Sequence, residues 1–185
     1  IVTAPRTLSA LRVTVTAALV ATIFNAFYGL LMAWVLTRYE FPGKRILDAL
    51  MDVPFALPTA VAGISLTALY SANGWFGAPL QGAGIELVYT LGGVMLAMAF
   101  TSTPFVVRAI QPVLEDLDPA LEQAAMTLGA RPFAIFRRVV LPAILPAWLA
   151  GSTVAFARSL GEFGAVVFIA GNLPFKTEIA ALLAY

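Results

Sequence analysis

The one long, charged, helix-forming interval between two apolar segments of membrane length reads Asp118-Pro-Ala-Leu-Glu-Gln-Ala-Ala-Met-Thr-Leu-Gly-Ala-Arg-Pro-Phe-Ala-Ile-Phe-Arg-Arg-Val-Val-Leu-Pro142. Asp118 is a good N-cap, and Pro119 suits the first helical position, where its missing N–H costs nothing. A short helix is expected to follow as far as Leu128, and Gly129 is expected to take the left-handed conformation that ends it.

The second half of this interval predicts another short helix. Pro132 can begin a helix over residues 133–141, and Pro142 is expected to terminate it before the next span. In the first helix, alanines at 120, 124 and 125 leave a shallow surface that another backbone can approach closely. Two interpretations stay open on physical grounds: an amphipathic helix pair lying on the bilayer, or a docking site for a partner outside the membrane.

The composition decides the broad class. The chain has 185 residues, of which 61% are hydrophobic and 11% charged, and its mean hydropathy is +0.91. A soluble domain carries about 25% charged residues, so an integral membrane protein is predicted. The absence of cysteine and histidine excludes disulfides, His-dependent catalysis and the commonest metal ligands, and no metal site is expected. A net charge of +1 points to no nucleic-acid partner.

Four apolar segments are long enough to span a bilayer. They cover residues 13–36, 46–70, 91–113 and 144–170, and they are continuously apolar rather than alternating, which favours helices over a barrel. The fold class expected is therefore all-α: a polytopic membrane helix bundle forming a single domain over residues 1–185. Because the chain starts at Ile1 and stops at Tyr185 within an apolar run, we interpret it as an excerpt that lacks a span at each end.

Lysine and arginine set the predicted orientation. Seven basic residues lie in or beside the connections after the first and third spans: Arg38, Lys44, Arg45, Arg108, Arg131, Arg137 and Arg138. The 71–90 connection has none, the tail after Gly171 has only Lys176, and Arg6 and Arg12 run against the trend. The asymmetry predicts that the 118–142 loop faces the cytoplasm, with Arg108 reaching toward lipid headgroups.

A few charged and kinking residues fall inside the predicted spans. Arg158 is expected near the middle of the fourth span, with Glu162 one turn later on the same face. One interpretation is an Arg–Glu pair that neutralises itself and fixes helix packing; the other is a translocation path or gate that meets an anion. Asp52 and Pro58 in the second span are candidates for the same path, since proline kinks helices where a path must open.

The 118–142 loop also resembles a motif of a known protein family. The loop resembles the EAA loop of bacterial ABC importer permeases: Gln123-Ala-Ala125 is followed after three intervening residues by Gly129, and after nine further intervening residues by Val139-Val-Leu-Pro142. Gln123 stands where that pattern has Glu, although Glu122 is adjacent, so an ion pair made by position 123 is in question. The resemblance implies that residues 118–142 are a coupling loop within the membrane domain and contact an ATPase subunit. The residues expected to carry coupling are Glu122, Gln123, Ala124, Ala125, Gly129, Leu141 and Pro142.

The likeness extends over nearly the whole chain. Residues 55–63, 101–114, 158–165 and 170–178 are similar to sulfate/thiosulfate permeases of the CysT type. This resemblance implies a fold of the type I ABC permease kind, with about four to five of its six transmembrane helices present. It also implies a multi-pass location in the bacterial inner membrane and transport of sulfate or thiosulfate, with molybdate or tungstate as the alternative substrates.

The resemblance further implies the partners. They are a second, non-identical permease subunit, two copies of an ATPase subunit and a periplasmic sulfate-binding protein, together with membrane lipid. The chain lacks a nucleotide-phosphate loop, so no cofactor is expected and ATP is expected on the partner ATPase. An ion-coupled secondary transporter also explains Arg158 and Glu162, but not the capped helix pair. An intramembrane enzyme is excluded for want of His, Cys or a paired acidic site.

Overall fold

The computed structural model describes residues 5–183, and within that range the chain forms helices and connecting loops only. The ends of the predicted 1–185 domain, residues 1–4 and 184–185, lie outside the described residues. The helices are α1 Pro5–Arg38, α2 Lys44–Ala56, α3 Thr59–Tyr70, α4 Gly77–Gly82, α5 Leu91–Glu115, α6 Pro119–Thr127, α7 Pro132–Ile135, a π-helical turn Phe136–Val140, α8 Leu141–Leu160, α9 Gly164–Ala170 and α10 Ala180–Leu183.

Three of these helices are long and apolar enough to cross a membrane. They are α1, α5 and the continuous helix Pro132–Leu160 that joins α7, the π-helical turn and α8. They pack against one another in all three pairings and form the centre of the bundle. The first and third predicted spans are thus confirmed as helices, each longer than expected.

The second predicted span is not one straight helix. α2 and α3 pass the span criteria only as a pair, and they bend by 117° at a short break. Leu57 at the break is extended, with φ −87° and ψ 132°, and Pro58 caps α3. The residue before a proline is disfavoured in the α conformation, so Pro58 breaks the helix that hydropathy alone draws as continuous.

The fourth predicted span ends earlier than expected. α8 stops at Leu160 with Gly161 as its C-cap, and after a short connection α9 runs as a separate helix that packs on α3. Arg158 therefore lies in the last turn of α8 rather than near the middle of a span. The prediction for Arg158 was wrong because average hydropathy does not detect the helix end at Gly161, which the buried Glu162 follows.

The predicted stop at Pro142 is also wrong. The backbone N–H of Leu141 bonds to the carbonyl of Phe136, five residues earlier, and the helix continues through Pro142 into α8. A proline ring collides with the carbonyl four residues before it in a regular α-helix. The wider π-helical turn directly before Pro142 relieves that crowding, so the chain enters the membrane without a break.

Small residues let the helices approach closely. The core includes Ala17, Ala18 and Ala21 of α1 beside Ala97 and Met98 of α5, all essentially buried. Large apolar side chains point outward instead; for example, Ile23 of α1 is 57% exposed. This inside-out distribution suits a protein whose solvent is lipid.

Candidate functional site

The first part of the predicted coupling loop folds as expected. Asp118 caps α6 by accepting a hydrogen bond from the Ala120 N–H at 2.8 Å, and Pro119 occupies the first turn. Gly129 has φ 80°, and the Ala130 N–H returns to the Ala125 carbonyl at 3.1 Å to close the helix. The caps confirm α6 as a defined helix rather than a disordered connection.

The α6 helix presents an open surface. None of its residues is buried; Ala124 and Gln123 are exposed, and Leu121 and Met126 are 52% and 57% exposed. Leu128, at its C-cap, is 88% exposed. Large apolar side chains standing free next to shallow alanines have the composition of a protein-docking surface rather than a solvated face.

One residue of α6 is turned the other way. Arg38, in the last turn of α1, donates through Nη2 to Glu122 Oε1, and the two side chains are only 24% and 17% exposed. The same guanidinium lies over the Trp34 ring, 5.3 Å from its centroid, and Trp34 packs edge-on against Phe136. Glu122, not Gln123, thus forms the ion pair within this chain, while Gln123 remains exposed.

Leu141 and Pro142 are the other two predicted coupling residues. Leu141 is half-buried and Pro142 is exposed at the start of α8. Neither contacts the α6 surface through a hydrogen bond, and their place in a continuous helix makes them part of the connection between the loop and the membrane. Sequence reasoning missed Arg38 and Trp34, since neither lies in the loop.

The predicted pair at the other end of α8 is brought together. Arg158 Nη1 lies 2.7 Å from Glu162 Oε2, with side-chain exposures of 33% and 1%. Glu162 is not helical; its second oxygen, Oε1, accepts a hydrogen bond from the Ala165 N–H at 3.0 Å. Glu162 therefore joins the end of α8 to the start of α9, a role that the sequence spacing did not reveal.

α9 in turn lies directly against α3. An added Cβ on Gly63 of α3 would be 2.5 Å from the Ala165 carbonyl oxygen, and one on Gly164 would collide with Thr59. Backbone contact of this kind requires glycine at both positions. The Arg158–Glu162 pair is thereby coupled through Ala165 to α3, the helix that Pro58 caps.

Asp52 belongs to a charged cluster between α2 and α5. Arg108 forms a two-pronged pair with Asp52 through Nε and Nη2, at 2.8 and 2.7 Å. Its Nη1 donates to Asp48 at 2.7 Å and to Gln111 at 2.5 Å. The expectation that Arg108 reaches to lipid headgroups is therefore wrong: its guanidinium joins α5 to two carboxylates of α2.

A buried polar network crosses the centre of the bundle. Asn25 of α1 donates to Ser102 Oγ of α5 at 2.8 Å, and Ser159 of α8 donates to the same Ser102 at 3.1 Å. All three residues are fully buried. These bonds between helices hold α1, α5 and α8 in one register next to Arg158.

The loop after α9 is fixed to the start of α1. Arg6 donates to both oxygens of Glu178, at 2.8 and 2.6 Å, and this pairing holds the pKa of the nearly buried Glu178 carboxyl below its usual range. The Ala180 N–H also donates to Thr14 Oγ1 at 2.8 Å. Arg6, one of the two basic residues that run against the orientation trend, is thus neutralised.

These features define a class: a helical membrane subunit with a broken helix pair, ion-paired charges at the helix ends and a capped surface helix between two spans. Residues 25–183 match the family described as "Binding-protein-dependent transport system inner membrane component". The chain belongs to this family and is a multi-pass membrane permease that works with other components of such a transport system.

Comparison with individual proteins agrees with the family. The whole chain is 58% identical to the Sulfate transport system permease protein CysT of Salmonella typhimurium, covering 67% of that protein. It is 56% identical to the protein of the same name in Escherichia coli, again over 67% of its length. The chain thus spans about two thirds of the length of these relatives.

A solved structure supports the fold. The chain is similar, with a TM-score of 0.56 over 84% of its length and 69% of the other chain, to a structure described as an amino acid ABC transporter with histidines. The sequences are 23% identical. The likeness therefore concerns the permease fold alone, and it confirms the expected ABC permease architecture.

Proposed function

We propose that this chain is the membrane-spanning permease subunit of an ATP-driven importer that carries sulfate or thiosulfate across the bacterial inner membrane. The single observation that carries the proposal is the identity of 58% over the entire chain to a sulfate permease. Family membership favours ATP-driven import over an ion-coupled secondary transporter.

The α6 surface supports coupling to an ATPase. It is capped at both ends, exposed on its outer face, and attached on its inner face to α1 by Glu122 and Arg38. A helix that is rigid within itself and tied to a membrane helix transmits a displacement of its outer face instead of absorbing it. In this proposal an ATPase subunit contacts the shallow surface around Ala124 and Ala125, and closure of two ATPase subunits moves α6 together with α1.

A series of contacts leads from Arg158 through Glu162, α9 and α3 to Asp52, and it supports a gate in this part of the bundle. Glu162 links Arg158 to α9, and α9 packs backbone to backbone on α3. At the far side of the 117° bend, Asp52 holds α2 to α5 through Arg108. A rearrangement at either ion pair is therefore passed to the bend at Pro58, which is the element that opens or closes the path in this proposal.

The Arg158 pair has the chemistry that an oxyanion path needs. A third of the Arg158 side chain is exposed, and a guanidinium offers paired donors that match the oxygens of sulfate or thiosulfate. The carboxylate of Glu162 already occupies part of that guanidinium, so a passing dianion is held weakly and released. Specificity then rests largely with the binding protein that delivers the anion.

The remaining partners follow from the same proposal. A second, non-identical permease subunit completes the path, two ATPase copies dock on the cytoplasmic side, and a periplasmic sulfate-binding protein delivers substrate from the other side. The basic residues around α6 support a cytoplasmic position for that end of the bundle. ATP is bound by the ATPase partner, so this chain carries no hydrolytic site of its own.

The experiment is uptake of radiolabelled sulfate into cells deleted for this subunit and complemented with the full-length gene. We expect restored uptake that thiosulfate inhibits and molybdate inhibits little. If molybdate inhibits uptake more strongly than thiosulfate does, the proposed substrate changes from sulfate to molybdate, and the assignment as a permease stays. Uptake that does not depend on the gene would overturn the sulfate proposal, and failure of an ATPase subunit to co-purify would overturn the coupling proposal.

A further inference from the structure

An apolar groove lies between α1 and the start of the helix that carries the coupling loop into the membrane. Its volume is about 530 Å³, and seven residues line it: Phe27, Leu30, Leu31, Trp34, Pro132, Phe133 and Phe136. None of these side chains carries a charge. The groove belongs neither to the α6 surface nor to the ion pairs from Arg158 to Asp52, and the proposed transport does not use it.

The groove has a built floor and open sides. Trp34 and Phe136 meet edge-to-face with ring centroids 5.4 Å apart, which joins the two walls at one level. Phe27 and Phe133 stand free at its margins, 65% and 74% exposed. From Phe27 to Trp34 the wall extends about 10 Å along α1 at the rise of a regular helix, a slot suited to part of an extended hydrocarbon chain.

The helical turn that follows the groove residue Phe133 carries two positive charges that no ion pair within residues 5–183 neutralises. Arg137 follows Phe133 by four residues, Arg138 lies in the same π-helical turn as Phe136, and both side chains are exposed without an ion pair in the described chain. Arg38 and Arg108, which lie at the same end of the bundle, are each paired with carboxylates. Free guanidinium groups beside an apolar slot, at the end of the bundle predicted to face the cytoplasm, match a lipid that has an anionic headgroup.

We propose that this groove binds one anionic phospholipid, with an acyl chain against Leu31 and Trp34 and the headgroup phosphate at Arg137 and Arg138. The two walls belong to α1, which holds α6 through Arg38, and to the second helix of the coupling loop, which begins at Pro132. A lipid seated here bridges α1 and the second half of that loop. A neutral phospholipid offers the same chains but no net charge, and therefore binds more weakly.

The test measures lipid contact at the groove itself. The chain has no cysteine, so Phe133→Cys places one fluorophore at the groove in a complex whose other subunits are cysteine-free. The complex is reconstituted in nanodiscs of phosphatidylcholine with increasing brominated phosphatidylglycerol or brominated phosphatidylcholine, and quenching is recorded. Ile23→Cys, an exposed site on α1 outside the groove, is the matched control label.

We expect phosphatidylglycerol to quench the label at 133 at roughly tenfold lower mole fraction than phosphatidylcholine, as two arginine–headgroup contacts predict. The label at 23 should show equal quenching by both lipids. Arg137→Gln with Arg138→Gln should abolish the preference at 133. Arg45→Gln, which neutralises another arginine of this end that is exposed and has no ion pair within residues 5–183, should preserve it.

Three results would overturn the proposal. Equal quenching by both lipids at 133 would make the groove ordinary lipid-facing surface. An absence of quenching by either lipid would mean that protein covers the groove. A preference that survives the double arginine change would remove the headgroup contact. Sulfate uptake is measured separately, so none of these results depends on the outcome of the transport experiment.

Discussion

Arg38, in the last turn of α1, pairs with Glu122 of α6, a residue 84 positions further along the chain. The pair is mostly shielded from solvent and stacks on Trp34. Among the described residues, it is the one hydrogen-bonded contact between α6 and the transmembrane helices. Movement of α6 and movement of α1 are therefore joined directly by an ion pair that substitution can remove.

Charge reversal at this point should uncouple the two helices. Glu122→Lys places two cations side by side, and we expect substrate uptake to fall roughly tenfold, within the range of coupling energies measured for contacting residues. Arg38→Glu combined with Glu122→Arg restores the opposite charges and should recover much of the loss. Asp116→Lys makes the same change of charge at an exposed position just before α6, outside the predicted coupling residues, and is the matched control; an equal defect in it would contradict the role of the pair.

Gly129 should be needed for its backbone conformation alone. Its φ is 80°, and a side chain there would meet nothing within 4 Å, so Gly129→Val adds strain of about 1–2 kcal/mol without a clash. We expect uptake and ATPase coupling to be lost while membrane insertion stays normal. Gly84→Val carries the same strain at φ 77°, also in open space, and should leave ATPase coupling intact. Normal transport by Gly129→Val would refute docking at α6.

Gly63 should tolerate no side chain. A Cβ at this position would be 2.5 Å from the Ala165 carbonyl oxygen and 2.8 Å from its Cα, so Gly63→Ala must push α3 away from α9. The expected result is a lower yield of folded protein and a thermal midpoint several degrees lower in detergent, comparable to overpacking by about 1–3 kcal/mol. Gly82→Ala, where nothing lies within 4 Å, is the control and should match the unchanged protein.

The elements that were predictable from sequence are those set by local chemistry. The caps at Asp118 and Gly129 follow from side-chain and backbone preferences of single residues, and the first and third spans follow from composition over some twenty residues. The structure confirms these features. Resemblance to a known family supplied the permease fold, and the comparison with a solved structure confirms it.

The predictions that failed missed either a local break in helix geometry or a contact between distant residues. Hydropathy draws the second span across Pro58, because an average over many residues does not detect one extended residue at a 117° bend. Pro142 is a helix breaker by local rules, yet the π-helical turn before it lets the helix continue. The partners of Arg108, Asp48 and Asp52, lie 60 and 56 residues away, and only the packed bundle brings them together.

Glu178 should make the Arg6 contact sensitive to acid. Arg6 holds the pKa of Glu178 below its unfolded value, so the stabilisation is complete above the unfolded pKa and is lost as pH falls through the folded pKa. Lowering the pH from 7 into the acid range should therefore lower the thermal midpoint of the complex by more than it lowers the midpoint of Glu178→Gln. That variant has no titrating group at this position. Identical pH profiles of the two proteins would contradict the assignment.

The pair formed by Arg158 and Glu162 can be dissected, because Glu162 has two separable roles. Arg158→Ala leaves a buried carboxylate without its cation and should cost roughly 2–3 kcal/mol of stability, less than a fully buried pair because a third of the arginine is exposed. Adding Glu162→Gln removes the stranded charge while keeping an oxygen that accepts from the Ala165 N–H, and it should recover most of that loss. Glu162→Ala removes both roles, so combined with Arg158→Ala it should recover less.

Transport measured on the same variants then separates packing from translocation. If the pair serves packing alone, uptake per folded complex should return in the double variant Arg158→Ala with Glu162→Gln, in step with its thermal midpoint. If Arg158 meets the substrate anion, as proposed here, stability should return while uptake stays low, because an alanine offers no donors to sulfate. The difference between the two recoveries is a direct measure of the contact between guanidinium and anion.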